Sequence, residues 1–75
     1  MTPKQCRAAR AMLGWTQPDL AKKSSLGLST VVDFEKMRRQ ISEDAIAAMV
    51  AALEDGGIVL IPENGGGIGV RLKND

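Results

Sequence analysis

The segment from Thr16 to Lys36 constrains the fold most, because it predicts two short helices separated by a break of four residues. Thr16 can cap a first helix over 17–23, with Asp19 in the reciprocal position of a capping box. The break is followed by a helix over 28–36. The residues expected to face inward are Leu20, Ala21, Leu26, Val31 and Phe34. So few apolar side chains cannot form a core, and other elements must cover them.

Helices are predicted on both sides of this segment. Thr2 can cap a helix over 3–13, which Gly14 ends, and Gln5 can complete its capping box. Ser42 can cap a fourth helix, which ends before Gly56. The apolar stripe predicted for that helix is Ile46, Met49, Val50 and Leu53, with Ile41 anchoring the connection before it.

The last part of the chain has the pattern of two strands. An apolar run over 58–61 is stopped by Pro62, and a Gly-rich turn then precedes alternating apolar residues at 68, 70 and 72. The three consecutive glycines are not followed by the Lys-Ser/Thr pair of a phosphate-binding loop. A two-stranded hairpin is barely stable alone in water, so this one must pack on the helices or on a second chain.

Charge is divided unevenly along the chain, although its net value is only +1. Residues 1–41 carry eight Lys and Arg against three acidic residues, a balance of +5. Residues 42–75 carry two against six, a balance of −4. Such a division favours a polyanionic partner on one side of the molecule, with ordinary solvated surface as the alternative.

Residue usage argues against several classes of protein. With one cysteine, Cys6, and no histidine, the chain can form neither an internal disulfide nor a Cys/His zinc site, and we expect no metal or cofactor. The sequence also lacks a nucleophile elbow and a paired-carboxylate motif, so we do not expect an enzyme. No secretory signal or transmembrane stretch is evident, which favours a cytoplasmic protein in which Cys6 is a buried thiol.

At this point the sequence resembles a known family, the Xre-type regulators, which include the lambdoid phage repressors and Cro. The resemblance covers residues 5–55 and is carried by Arg10, Leu13-Gly14-Trp15-Thr16-Gln17, Leu20-Ala21, Ser29-Thr30-Val31 and Phe34-Glu35. It implies a mainly α, compact domain of four or five helices, lambda-repressor-like, here with a C-terminal two-stranded β element. It also implies binding of operator DNA, usually as a symmetric dimer, with the third helix in the major groove.

The resemblance implies roles for individual residues. Gln17 would contact a phosphate and brace the recognition helix, and Arg10 would form a partly buried salt bridge with Glu35. Leu28, Ser29 and Asp33 match the positions that contact base edges, and the basic residues after the helix would contact phosphates. The complete set of candidate DNA-binding residues is Gln17, Leu28, Ser29, Thr30, Val32, Asp33, Lys36, Arg38 and Arg39.

The sequence departs from the family pattern at three places. Ser25 and Met37 stand where the family often has glycine, so Ser25 is expected to be strained or its turn to differ. The recognition face has no Arg, Asn or Gln, the residue types that make bidentate contacts with bases. Specificity is therefore expected to depend on DNA shape or on Arg38 and Arg39.

Two functions remain open at this stage. The first is a DNA-binding domain over 1–56 whose 57–75 extension makes a homodimer through Ile58, Val59, Leu60, Ile61, Ile68, Val70 and Leu72. The alternative for the extension is a hairpin that covers the fourth helix of its own chain. The second function is a protein-interaction module, such as an anti-activator or an antitoxin-like protein with an activator or toxin as partner. The acidic Asp33 and the near-zero net charge favour that second function.

Overall fold

A computed structural model describes residues 1–73, which form four helices followed by a two-stranded antiparallel sheet. The elements are α1 (Pro3–Leu13), α2 (Gln17–Ser24), α3 (Leu28–Lys36), α4 (Glu43–Asp55), β1 (Ile58–Ile61) and β2 (Gly69–Leu72). The mainly α fold with a C-terminal β element is confirmed, with four helices in this part of the chain. Residues 74 and 75, the end of the predicted 57–75 extension, lie outside the described residues.

The first two helices begin where their capping residues predict. The Thr2 hydroxyl accepts from the Gln5 amide N–H at 3.1 Å, while the Gln5 side chain accepts from the Thr2 N–H at 2.9 Å. Thr16 and Asp19 make the same reciprocal pair at 3.2 and 2.8 Å. Each box satisfies two backbone donors that a helix end would otherwise leave free.

Two helices end on a non-glycine residue in the left-handed conformation. Ser25 follows α2 with φ 58°, and Met37 follows α3 with φ 57°. The turns nevertheless close as the glycine form would, because Leu26 N–H reaches the Ala21 carbonyl at 2.9 Å and Arg38 N–H reaches the Asp33 carbonyl at 3.0 Å. Of the two outcomes expected at Ser25, the structure therefore has the strained positive φ and not an altered turn.

The core lies between α1, α2, α3 and the inner surface of α4. Its buried apolar residues are Cys6, Ala9, Leu20, Ala21, Val31, Phe34, Ile41, Met49, Ala52, Leu53 and Ile58. The predicted stripe on α4 is corrected at one position: Ile46 is half-buried and packs against the core, whereas Val50 does not, and Ala52 is buried instead. Contacts with α2 and β1 turn the 49, 52 and 53 face of α4 inward.

Gly56 permits a close approach at the end of α4. A Cβ atom built on it would lie 2.9 Å from Leu13 Cδ1 and from the Trp15 ring. The absence of a side chain at Gly56 therefore lets the loop after α1 pack on the end of α4.

The hairpin packs on α1 and α4 of its own chain, whereas the alternative proposed from the sequence named only the fourth helix. β1 pairs with β2 so that Ile58 faces Leu72 and Leu60 faces Val70, and these four side chains point toward the core. The buried Gln5 amide on α1 donates to the carbonyls of Ile61 and Gly69 at 3.2 and 3.0 Å.

This packing changes which tail residues could form a dimer contact. Ile58 is 2% exposed within the single chain, so its side chain cannot contribute to an interface. Leu60, Val70 and Leu72 are partly buried against the same core. Ile68 lies before β2 and is 43% exposed. Val59 and Ile61 occupy the outer face, with Arg71 and Gly69 opposite them.

Candidate nucleic-acid interface

A buried carboxylate fixes α3 against α1. The Glu35 side chain accepts from Arg10 Nε and Nη2, each at 2.7 Å, so the pair is bidentate. The Glu35 side chain is 1% exposed and that of Arg10 is 17% exposed. The salt bridge expected from the family resemblance is thus present, in a geometry that holds both side chains in one orientation.

Further donors complete the environment of Glu35. The Cys6 thiol lies 3.1 Å from Oε2, and Gln17 Nε2 donates to Oε1 at 3.0 Å. The third guanidinium nitrogen of Arg10 donates to the Trp15 carbonyl at 3.1 Å. These bonds join α1, the α1–α2 loop, α2 and α3 around one carboxylate. We call Cys6, Arg10, Gln17 and Glu35 the Glu35 cluster.

The ionisation of the cluster follows from these contacts. Burial acts to raise the pKa of Glu35, but the hydrogen bonds from Arg10, Cys6 and Gln17 outweigh it and hold the pKa below its usual value. The hydrogen bond to Glu35 raises the pKa of Arg10. Burial, together with the neighbouring carboxylate, raises the pKa of the Cys6 thiol, which is therefore neutral and inert at physiological pH.

Gln17 lies at the first residue of α2 with its side chain turned toward α3. The bracing role expected for it corresponds to the hydrogen bond with Glu35, while a phosphate contact stays a prediction. Pro18 has no N–H, and the Asp19 and Leu20 N–H groups bond to Thr16. Within residues 1–73, the Gln17 N–H is therefore the free backbone donor of this turn.

The outward side of α3 carries all of the candidate base-contacting residues. Leu28 is 46% exposed and Ser29 is also exposed, while Thr30, Val32 and Asp33 are half-buried. Gly27 provides no side-chain cap, so the Leu28 and Ser29 N–H groups make no hydrogen bond to the described residues. The start of α3 therefore presents both side chains and backbone donors.

The cations after α3 are unevenly engaged. Asp33 accepts from Arg39 Nε at 2.9 Å and lies 3.9 Å from Arg38 Nη1. Arg39 Nη2 also lies 3.5 Å from the Thr30 hydroxyl. Arg39 is therefore folded back along α3, while the Lys36 side chain is exposed.

Sequence reasoning placed these residues on one surface but missed their pairing. Asp33 and Arg39 are six residues apart, and the left-handed turn at Met37 brings them together. It also missed the thiol contact of Cys6 and the hairpin contact of Gln5, for which the local sequence gives no signal.

No group of three or more His, Cys, Asp or Glu side chains within 1–73 is arranged to hold a metal ion. Over the same residues, no helix is long and apolar enough to cross a membrane.

Comparison with known proteins identifies the fold family. The sequence profile of the helix-turn-helix family matches residues 7–54, well over half of the chain. A search of curated proteins found no match. The matched segment contains the whole outward surface of α3 and three members of the Glu35 cluster, all but Cys6. The chain therefore belongs to the Xre-type helix-turn-helix family of DNA-binding regulators.

Proposed function

We propose that the protein is a sequence-specific transcriptional regulator that binds operator DNA as a homodimer, with α3 in the major groove. The observation that carries this proposal is the Glu35 cluster, which locks α3 while leaving its outward side exposed. A recognition helix that is already held in place loses little conformational entropy when it binds.

Cations around α3 support contact with the DNA backbone. Lys36 is exposed, and the side chains of Arg38 and Arg39 are 58% and 53% exposed. Lys36 ends the helix that would enter the groove and the two arginines follow it, where phosphates flank the bases. The free N–H of Gln17 supports a further phosphate contact at the start of α2.

The outer face of the hairpin supports self-association. Val59 and Ile61 are half-exposed apolar side chains on a two-stranded sheet whose inner face is already covered by its own chain. A second copy could cover them across a twofold axis, which would present two α3 helices about 34 Å apart to a palindromic site.

DNA binding is tested by fluorescence anisotropy with the duplex upstream of the protein's own gene and with a random duplex, each titrated with salt. Affinity should fall steeply as salt rises, because bound cations release counterions from the duplex. Arg38→Ala should weaken binding to both duplexes and reduce the salt slope by about 0.9 for each subunit, about 1.8 for the dimer. Lys73→Ala, which removes an exposed cation that follows β2 outside the helix-turn-helix, is the matched control and should leave the slope unchanged.

Salt-independent binding, or no binding to any duplex at low salt, would overturn the proposed function. The second result would favour the protein-interaction module, an alternative supported by the partial neutralisation of two arginines by Asp33.

The dimer is tested by light scattering on the full chain. Removing the hairpin is unsuitable because Ile58 belongs to the core. Val59→Lys should instead convert a dimer into a monomer without unfolding it, while Ala47→Lys, which adds the same charge at an exposed position of α4, should not. A wild-type monomer at high concentration would refute the homodimer.

A further inference from the structure

The contact between Asp33 and Arg39 is the most informative feature of the α3 surface that the proposed function does not explain. Asp33 holds the Nε atom of Arg39 at 2.9 Å, and Thr30 lies 3.5 Å from Nη2 of the same guanidinium. Arg38 approaches the other oxygen of Asp33 at 3.9 Å. Both carboxylate oxygens therefore face cations of the same chain.

This arrangement leaves part of the Arg39 guanidinium available for a ligand. Nη1 makes no hydrogen bond to any residue in the described range 1–73, and the Nη2 contact with Thr30 is long. A guanidinium that is held through Nε still offers N–H groups from its two terminal nitrogens. Two such donors match the paired O6 and N7 acceptors of guanine in the major groove.

The position of Arg39 also supplies what α3 lacks. The helix has no Arg, Asn or Gln among its own outward residues. The turn at Met37 reverses the chain and brings Arg39 beside Thr30 and Asp33, which lie on the outward side of α3. Arg39, which lies outside the helix, thereby places a guanidinium beside the outward residues of α3.

Resting on the proposed DNA-binding function, we infer that Arg39 is a specificity-determining residue that contacts a guanine, and that Asp33 is a positioning residue for it. Asp33 acts through Arg39, because its Oδ2 atom already accepts from Arg39 Nε at 2.9 Å and its Oδ1 atom faces Arg38 at 3.9 Å. Arg39 would accordingly set the base preference at one position in each half-site.

The experiment is a double-mutant cycle read out as base preference. Wild type, Arg39→Ala, Asp33→Ala and the double variant are each used to select from a randomised double-stranded DNA pool. The selected duplexes are then compared with versions in which a single guanine is replaced. Arg39→Lys keeps the charge but cannot form the bidentate contact, and Lys73→Ala is the control for loss of a cation elsewhere.

Wild type and Lys73→Ala should prefer guanine at one position by about tenfold or more, as a bidentate contact gives. Arg39→Lys should lose that preference while retaining most of the salt slope. Asp33→Ala should reduce the preference several-fold although it makes the protein more positive. In the Arg39→Ala background, Asp33→Ala should have no further effect on base preference.

Three results would overturn the inference while leaving the proposed function intact. In the first, the guanine preference survives Arg39→Ala. In the second, Asp33→Ala changes the base preference in the Arg39→Ala background. In the third, Asp33→Ala raises affinity for all duplexes alike and the guanine preference is retained. Absence of salt-sensitive binding by wild type to any duplex would instead overturn the proposed function, and this inference with it.

Discussion

Removing Arg10 should expose how strongly the fold depends on the Glu35 cluster. Arg10→Met keeps much of the aliphatic stem but deletes both 2.7 Å bonds to a carboxylate that is 1% exposed. Cys6 and Gln17 then remain as the only side-chain donors to the Glu35 carboxylate among the described residues. Breaking one side of a buried ion pair costs about 3–5 kcal/mol. That is a large part of the stability expected of a domain this size.

The assay is denaturant unfolding followed by circular dichroism, at one protein concentration because dimerisation would shift stability. Glu35→Gln and the double variant Arg10→Met with Glu35→Gln complete the cycle. The double variant should lose clearly less than the sum of the two single losses, because it leaves no stranded charge.

The pH dependence gives the same cycle a second readout. In Arg10→Met, burial is no longer offset by the ion pair, so the pKa of Glu35 should rise above its unfolded value. The variant should then recover part of its loss as the pH is lowered toward 4.5, the ordinary pKa of a glutamate, because the folded variant takes up a proton at a higher pH than the unfolded chain. A loss below about 1 kcal/mol at pH 7, or additive single losses, would refute this account of the cluster.

Three further outcomes follow from other contacts. Gln5→Glu should keep the capping box but lose the donors to the two hairpin carbonyls, lowering stability by about 2 kcal/mol in denaturant unfolding; an unchanged midpoint would contradict that contact. Ser25→Gly and Met37→Gly should each raise the free energy of unfolding by about 0.5–1 kcal/mol, because glycine adopts positive φ without strain. A loss of stability in both variants would argue against the left-handed turns. Stability should fall below about pH 4.5 as Glu35, whose pKa is lowered on folding, becomes protonated, and fall again above about pH 9, where the Cys6 thiol ionises more readily in the unfolded chain. Cys6→Ala should remove the alkaline loss and should also weaken the acid loss, because the thiol is one of the donors that lower the pKa of Glu35; a persisting alkaline loss would refute that assignment.

The helices could be predicted because the signals that bound them are local. Thr2 and Thr16 bond to residues three positions away, and the observed starts of α1 and α2 agree with that spacing. The end of α2 differs from the prediction by one residue, since Ser24 remains helical with its hydroxyl bonded to the Leu20 carbonyl at 2.6 Å. The Arg10–Glu35 pair, in contrast, came from family resemblance.

Contacts between distant segments could not be predicted from the pattern. Gln5 reaches carbonyls 56 and 64 residues away, and nothing in its neighbourhood distinguishes it from an ordinary capping glutamine. The stripe on α4 was misplaced at Val50 because the face that is buried depends on how α4 meets α2 and β1. Homodimerisation stays a prediction, since a single chain shows only that the outer face of the hairpin is apolar.

The central claim, that the outward side of α3 meets DNA, is tested most directly by backbone amide chemical shifts during titration with a selected duplex. The largest changes should occur at Leu28, Ser29 and Asp33 on α3 and at Gln17 at the start of α2. The amide of Arg71 on the hairpin should change much less. Changes confined to the hairpin, or no changes at low salt, would contradict the account.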